Sequence, residues 1–155
     1  MNKRPIYAWD ATVILAWLEE DKNAPLGGID SVVQEVDDGT ATLVVSVVAH
    51  TEVLKARHTQ QQMKIFHEFL ERSNVVVGNV DLRVSEKAEE IRSKGMADGR
   101  KIKTPDAQHL ATAIIFGADE FHTLDEKLIK LSGTPIVDNL TICKPISRSG
   151  QAMLE

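Results

Sequence analysis

The chain has 155 residues, 43% of them hydrophobic and 26% charged, with a formal net charge of −5. That length fits one domain able to bury its own core, and a single cysteine, Cys143, excludes an internal disulfide and points to a reducing, cytoplasmic setting. No stretch approaches the ~20 apolar residues of a spanning helix, and the polar start through Pro5 lacks a secretory pattern, so no membrane partner is expected.

Ile6–Trp9 is a short apolar run ending at Asp10 and reads as a buried strand of a parallel sheet. A helix follows at once over Ala11–Glu20, with Val13, Ile14, Trp17 and Leu18 at helical spacing; Trp9 and Trp17 fall at core positions. Ile29, Val32, Val33 and Val36 repeat that period and predict a second helix, preceded by Pro25 and the Gly27–Gly28 pair. Thr42–Val48 is β-branched and apolar, a second strand. His50–Ala56 begins another helix, with Glu52 in the first turn after that strand. Gln61–Arg72 is helical again, with Met63, Phe66, Phe69 and Leu70 on one face, either core or an interaction surface.

Asn74–Gly78 is the third strand, and Asp81 caps a helix carrying Val84, Ala88 and Ile91 on its apolar stripe. A polar, basic loop spans Met96–Lys103. The next helix opens with Thr104 as N-cap, Pro105 at the first helical position and Asp106 in the first turn, and runs to Gly117. Glu120–Thr123 is a weak fourth strand ending near Asp125, and Glu126–Leu131 a short helix. Ile136–Val137 and Leu140–Cys143 are available for a fifth strand and an edge, Cys143 reads as a buried, inert thiol, and Ser147–Glu155 as a loose tail. Strands alternating with helices imply an α/β sandwich around a mostly parallel sheet, as one domain over residues 1–155.

Ligands of such sheets bind at the carboxyl ends of the strands. Asp10, Glu52 and Asp125 each follow a strand, and the helix opened by Asp106 is able to bring its N-terminus to the same rim. Four carboxylates on one rim repel one another. A hard divalent cation relieves that repulsion: Mg²⁺ takes oxygen ligands and keeps several waters, and Mn²⁺ behaves similarly. The net negative charge alone speaks against a nucleic-acid partner, but a bound cation inverts the local sign, which leaves that partner open.

The segment Tyr7–Leu18 (YAWDATVILAWL) resembles the opening motif of PIN-domain nucleases, an Asp after a strand with a hydroxyl residue two positions on. Ser46–Leu54 (SVVAHTEVL) is similar to that family's glutamate-bearing segment. Thr104–Asp119 (TPDAQHLATAIIFGAD) resembles its Asp-led, Ala-rich helix, and Phe121–Leu128 (FHTLDEKL) its final Thr-x-Asp motif. The four stand in the family's order over residues 6–131. The resemblance implies a three-layer α/β/α fold and Mg²⁺- or Mn²⁺-dependent hydrolysis of RNA. It implies metal ligation by Asp10, Glu52, Asp106 and Asp125, and supporting hydroxyls at Thr12 and Thr123. Small members of the family include VapC-like toxins, homodimers silenced by an antitoxin protein. One departure stands out: many relatives carry a second acid two or three positions after the last Asp, where this chain has Lys127 and Leu128. That departure implies tight binding of one metal rather than two.

Arg100, Lys101 and Lys103, with Lys55 and Arg57, are candidates to line a path for an RNA backbone; a solvated loop is the equal alternative. Asp119 lies at the opposite rim as a solvated turn. The five histidines show no metal-binding spacing; His109, three residues after Asp106, shares its side of the helix but reads first as structural. Two other functions are compatible with the acids. One is a phosphoryl hydrolase using Asp10 as nucleophile. The other is an inert PIN-like module that binds RNA or protein.

Overall fold

The computed structural model describes residues 4–146; the tail expected over 147–155 lies outside them. Five short strands form one sheet: β1 (Ile6–Trp9), β2 (Thr42–Ser46), β3 (Val75–Gly78), β4 (Glu120–His122) and β5 (Thr141–Cys143). Their spatial order is β3-β2-β1-β4-β5, and every neighbouring pair is parallel. All strands therefore end at one rim, and β1, the central strand, ends at Asp10.

Seven helices cover the sheet: α1 (Ala11–Glu19), α2 (Leu26–Asp37), α3 (Val47–Lys55), α4 (Gln60–Leu70), α5 (Leu82–Ala97), α6 (Thr104–Ile115) and α7 (Glu126–Ile129). The two-residue side-chain period of the strands divides the core. Tyr7, Trp9, Leu43 and Val45 face one way and pack with α1, α2, α3 and α4. Ala8, Val44, Phe121 and Ile142 face the other way, against α5, α6 and α7. This is the three-layer α/β/α arrangement expected. The α4 face of Phe66 and Phe69 belongs to the core, not to an interaction surface: both rings are fully buried. Phe69 packs 6.0 Å from Trp9 and 4.8 Å from Trp17 between ring centroids. His50, whose ring lies 5.6 Å from that of Phe66, joins the same packing.

Several boundaries differ from expectation. α2 starts at Leu26, so Gly27 and Gly28 lie inside its first turn. A Cβ on Gly28 would come within 2.1 Å of the Pro145 carbonyl oxygen, so the backbone of the segment after β5 fills the missing side chain's place. α3 begins three residues early because the Ser46 hydroxyl accepts from Val48 N and caps it; Glu52 therefore lies in the second turn. α6 is capped by the extended Lys103, whose carbonyl accepts from Ala107 N at 2.9 Å, which leaves Thr104 as the first helical residue and no side-chain cap. Ile136–Val137 is not a strand. Pro135 starts a 3-10 turn there, and Asp138 and Asn139 end it with positive φ. The fifth strand is Thr141–Cys143 alone, and Cys143 is half-buried rather than buried. Among the described residues no helix is long and apolar enough to cross a membrane.

Candidate active site

The rim at the carboxyl end of β1 is organised around Asp10. Its backbone N–H donates to the His122 carbonyl, which ties the end of β1 to the end of β4. Its side chain caps α1, Oδ1 accepting from Thr12 N at 3.0 Å and Val13 N at 3.4 Å. The Thr12 hydroxyl donates to the same oxygen at 2.5 Å, and the Thr123 hydroxyl donates to Oδ2 at 2.5 Å. Each hydroxyl in turn accepts a backbone N–H from the β4–α7 turn, Leu124 N on Thr12 and Asp125 N on Thr123, both at 3.1 Å. Two threonines thus join residues 113 positions apart and fix both oxygens of one carboxylate. Asp10 is 3% exposed, and burial pushes its carboxyl up from the ordinary range, against the pull of the two hydroxyls, the charge of His109 and the Val13 N–H.

The other three acids come from the start of α7, the first turn of α6 and the second turn of α3. Asp125 caps α7, Oδ1 accepting from Lys127 N at 2.9 Å. Asp106 lies in the first turn of α6, half-buried; burial raises its carboxyl, and the charges of Asp10, Asp125 and Glu52 raise it further while His109 lowers it. Asp106 thus feels the charges of the other three carboxylates. Glu52 comes from α3 and is pulled below the ordinary range, chiefly by a hydrogen bond from His109, Nε2 to Oε1 at 2.6 Å. His109 is 3% exposed and its Nδ1 meets no hydrogen-bonding partner among the described residues. Sequence reasoning ranked this histidine as structural; the fold makes it the group that holds Glu52. The signal was its spacing three residues after Asp106, which puts both on one side of α6.

The basic residues fall beside the acids. Arg100, Lys101 and Lys103 line a cleft of about 600 Å³ whose other walls include Asp106 and Asp125. Lys55 is near enough to Glu52 to lower its carboxyl, whereas Arg57 is simply exposed. Asp119 is at the opposite rim, as expected, but as a fastener: its Oδ2 accepts the Ile6 N–H at 2.8 Å where β1 begins. Asp10 is buried with both oxygens accepting threonine hydroxyls, which weighs against in-line attack on phosphorus by the carboxylate itself.

A donor set made only of carboxylate oxygens, with Asp106 raised by the charges of the other three, suits a hard divalent cation in its chemistry. A tighter trio exists elsewhere: ligand atoms of Glu120, His122 and Cys143 all lie within 4.8 Å of one another. Its hydrogen bonds suit no metal. Trp9 Nε1–H donates to His122 Nδ1 at 3.1 Å, so a neutral His122 carries its proton on Nε2 and donates it to Glu120 at 2.9 Å. Neither ring nitrogen keeps a free lone pair.

A parallel three-layer sandwich with a hydroxyl-braced carboxylate at the carboxyl end of its central strand defines a class of acidic-site α/β domains. The chain belongs to the PIN domain family, which it matches over residues 7–133. No curated protein matches it in sequence. Among solved structures it is similar to VapBC-1 from nontypeable Haemophilus influenzae, at 19% identity and TM-score 0.64 over 90% of this chain and 97% of that one. It is also similar to VapBC2 from Rickettsia felis bound to a DNA fragment from its promoter, at 16% identity and TM-score 0.64 over 88% and 96%. VapC20 from Mycobacterium tuberculosis, a Sarcin-Ricin loop cleaving toxin, matches at 18% identity and TM-score 0.56 over 77% and 89%.

Proposed function

We propose that this PIN domain is a divalent-metal-dependent endoribonuclease and the toxin of a VapC-like toxin–antitoxin pair, acting as a single-domain homodimer in the cytoplasm. The observation that carries the reading is the buried Asp10 at the end of β1, both its oxygens held by threonine hydroxyls; the charges of Asp10, Glu52 and Asp125 that Asp106 feels support it. The toxin reading is supported by the VapBC complexes among the similar structures, and RNA as substrate by the cleavage named for VapC20. An antitoxin is the partner that would silence it.

Asp10, Asp106, Asp125 and Glu52 would hold Mg²⁺ or Mn²⁺. When bound, such an ion lowers the pKa of water and offsets charge on a phosphate. The remaining work falls to the chain. Thr12 and Thr123 keep Asp10 in one orientation. His109 keeps Glu52 ionised, so that its carboxylate can accept a proton from an attacking water. Arg100, Lys101 and Lys103 hold the RNA backbone without reading its sequence. Water adds to phosphorus, the P–O3′ bond breaks, and the 3′ oxygen takes up a proton, which leaves a 5′-phosphate and a 3′-hydroxyl.

The test is cleavage of a panel of structured RNAs by the wild type and by Asp10→Asn/Asp106→Asn, with Mg²⁺, Mn²⁺ or EDTA. Metal-dependent cutting that disappears in the double variant is the expected result. Cutting that survives in EDTA or in the double variant refutes the assignment.

A further inference from the structure

The chain is fastened at three successive places as it leaves β5. The Cys143 carbonyl accepts from Thr123 N at 3.1 Å. One residue on, Lys144 Nζ pairs at 2.9 Å with Oε1 of Glu126, in the first turn of α7. Pro145 is buried, and its backbone lies over α2. A Cβ on Gly28 would sit 2.1 Å from the Pro145 carbonyl oxygen, 2.6 Å from its carbon and 2.9 Å from Ile146 Cα. No side chain fits there, and glycine is the residue that permits so close an approach of two backbones. The ion pair contributes little, because Lys144 and Glu126 are 49% and 67% exposed. The hydrogen bond at Cys143 and the fit at Gly28 carry the attachment. Each end then leads somewhere. Beside Gly28, Ile29, Val32 and Val36 are buried and anchor α2 in the core. At the other end, the Thr123 hydroxyl donates to Asp10 Oδ2 and accepts from Asp125 N.

We infer that residues 144–146 form a strap through which α2 sets the position of the β4–α7 turn, and that Gly28 is a positioning residue for Asp10 and Asp125. The consequence for chemistry rests on the nuclease reading of those acids; the mechanical link does not. A close-packed interior has no room for an added methyl group, so one side of the contact must move. The three buried aliphatic side chains hold α2 in place. The strap is the softer side, since an exposed ion pair and a strand-end hydrogen bond hold it. Lifting the strap draws the Cys143 carbonyl away from Thr123 N, and Thr123 is then free to tilt. Its hydroxyl is the donor to Asp10 Oδ2 at 2.5 Å, so the tilt reaches the carboxylate directly. Each link in this route is a contact between named atoms, which is the physical warrant that coupling between distant positions requires.

The test compares hydrogen exchange at two backbone amides of the whole, metal-free protein. One is Thr123 N–H, bonded to the Cys143 carbonyl; the other is Leu43 N–H, bonded to the Asn74 carbonyl at 2.9 Å. Gly28→Ala is expected to speed exchange at Thr123 about tenfold more than at Leu43, the mark of a local opening rather than of lost global stability. Gly27→Ala, whose added Cβ meets nothing within 4 Å, and Ile91→Val, which trims the fully buried α5 core, are expected to change both amides alike. Should Gly28→Ala fail to fold, Pro145→Gly loosens the strap from its own side by freeing φ, and the same selective exchange is expected. Calorimetric titration with Mn²⁺ supplies a second readout: binding several-fold weaker in the strap variant, and as in wild type in Gly27→Ala and Ile91→Val. Equal acceleration of Thr123 and Leu43 overturns the inference. So does Mn²⁺ binding that is measurable in wild type and no weaker in Gly28→Ala than in Ile91→Val. The two readings fail separately. Selective exchange in the variant, with no Mn²⁺ binding and no cleavage by the wild type, refutes the nuclease and keeps the strap. Metal-dependent cleavage by the wild type, with no selective exchange in the variant, keeps the nuclease and refutes the strap.

Discussion

Asp10 shows how a site residue works against the fold that holds it. Burial raises its carboxyl above the ordinary value of 3.8, so ionising it in the folded protein is harder than in the unfolded chain. The stability it allows is complete below that value and is lost as pH rises toward the folded-state pKa. Asp10→Asn is therefore expected to raise Tm at neutral pH, as read in thermal melts across pH. The gain should vanish in melts below pH 3.8. Thr123→Val acts in the opposite direction. It strips a buried donor from Asp10 and an acceptor from Asp125 N, and urea titration should show a loss of about 1–3 kcal/mol, largely restored by Thr123→Ser. His109→Ala frees Glu52 from its hydrogen bond; cleavage assays should show a fall in kcat with little change in KM, and partial recovery in His109→Gln.

At the level of elements, the three parallel layers follow from strands too short to do more than alternate their side chains between two helical layers. Adjacent glycines in α2 show how differently a helix position is set by its surroundings. A Cβ on Gly27 meets nothing within 4 Å, while one on Gly28 strikes Pro145. Gly27→Ala should stabilise by about 0.5–1 kcal/mol through helix propensity alone. Gly28→Ala should destabilise by about 1–3 kcal/mol through overpacking; denaturant melts of the pair check both signs. Much of this architecture was legible. Hydrophobic runs ending in Asp10 and near Asp125 placed the acids at strand ends, and the Phe66/Phe69 stripe gave α4 its period. What failed was local and dictated from a distance. Ile136–Val137 reads as a strand by its β-branched composition, but Pro135 and the two positive-φ residues after it turn the chain instead. The threonine bridge was legible as two supporting hydroxyls through the family resemblance, but not that both bond Asp10, because Thr123 lies 113 positions from it. Gly28 read as preceding α2 because no local signal reveals the carbonyl that occupies its Cβ position.

For the molecule as a whole, the acids predict a linkage between cation and stability. Mg²⁺ should raise the Tm of the wild type, by as much as about 2.7 kcal/mol of stabilisation at a hundredfold excess over Kd. KCl of equal ionic strength should not, and Asp10→Asn/Asp106→Asn should abolish the response in a calorimetric scan. The route of the chain through the sheet also sets a schedule. Asp10 is made before Thr123, which orients it, and before Asp125, which joins the acids. A chain still being translated therefore holds one half of a blade. On the nuclease reading proposed above, a nascent chain gains the capacity to cut only once residue 125 has been added and folded onto Asp10.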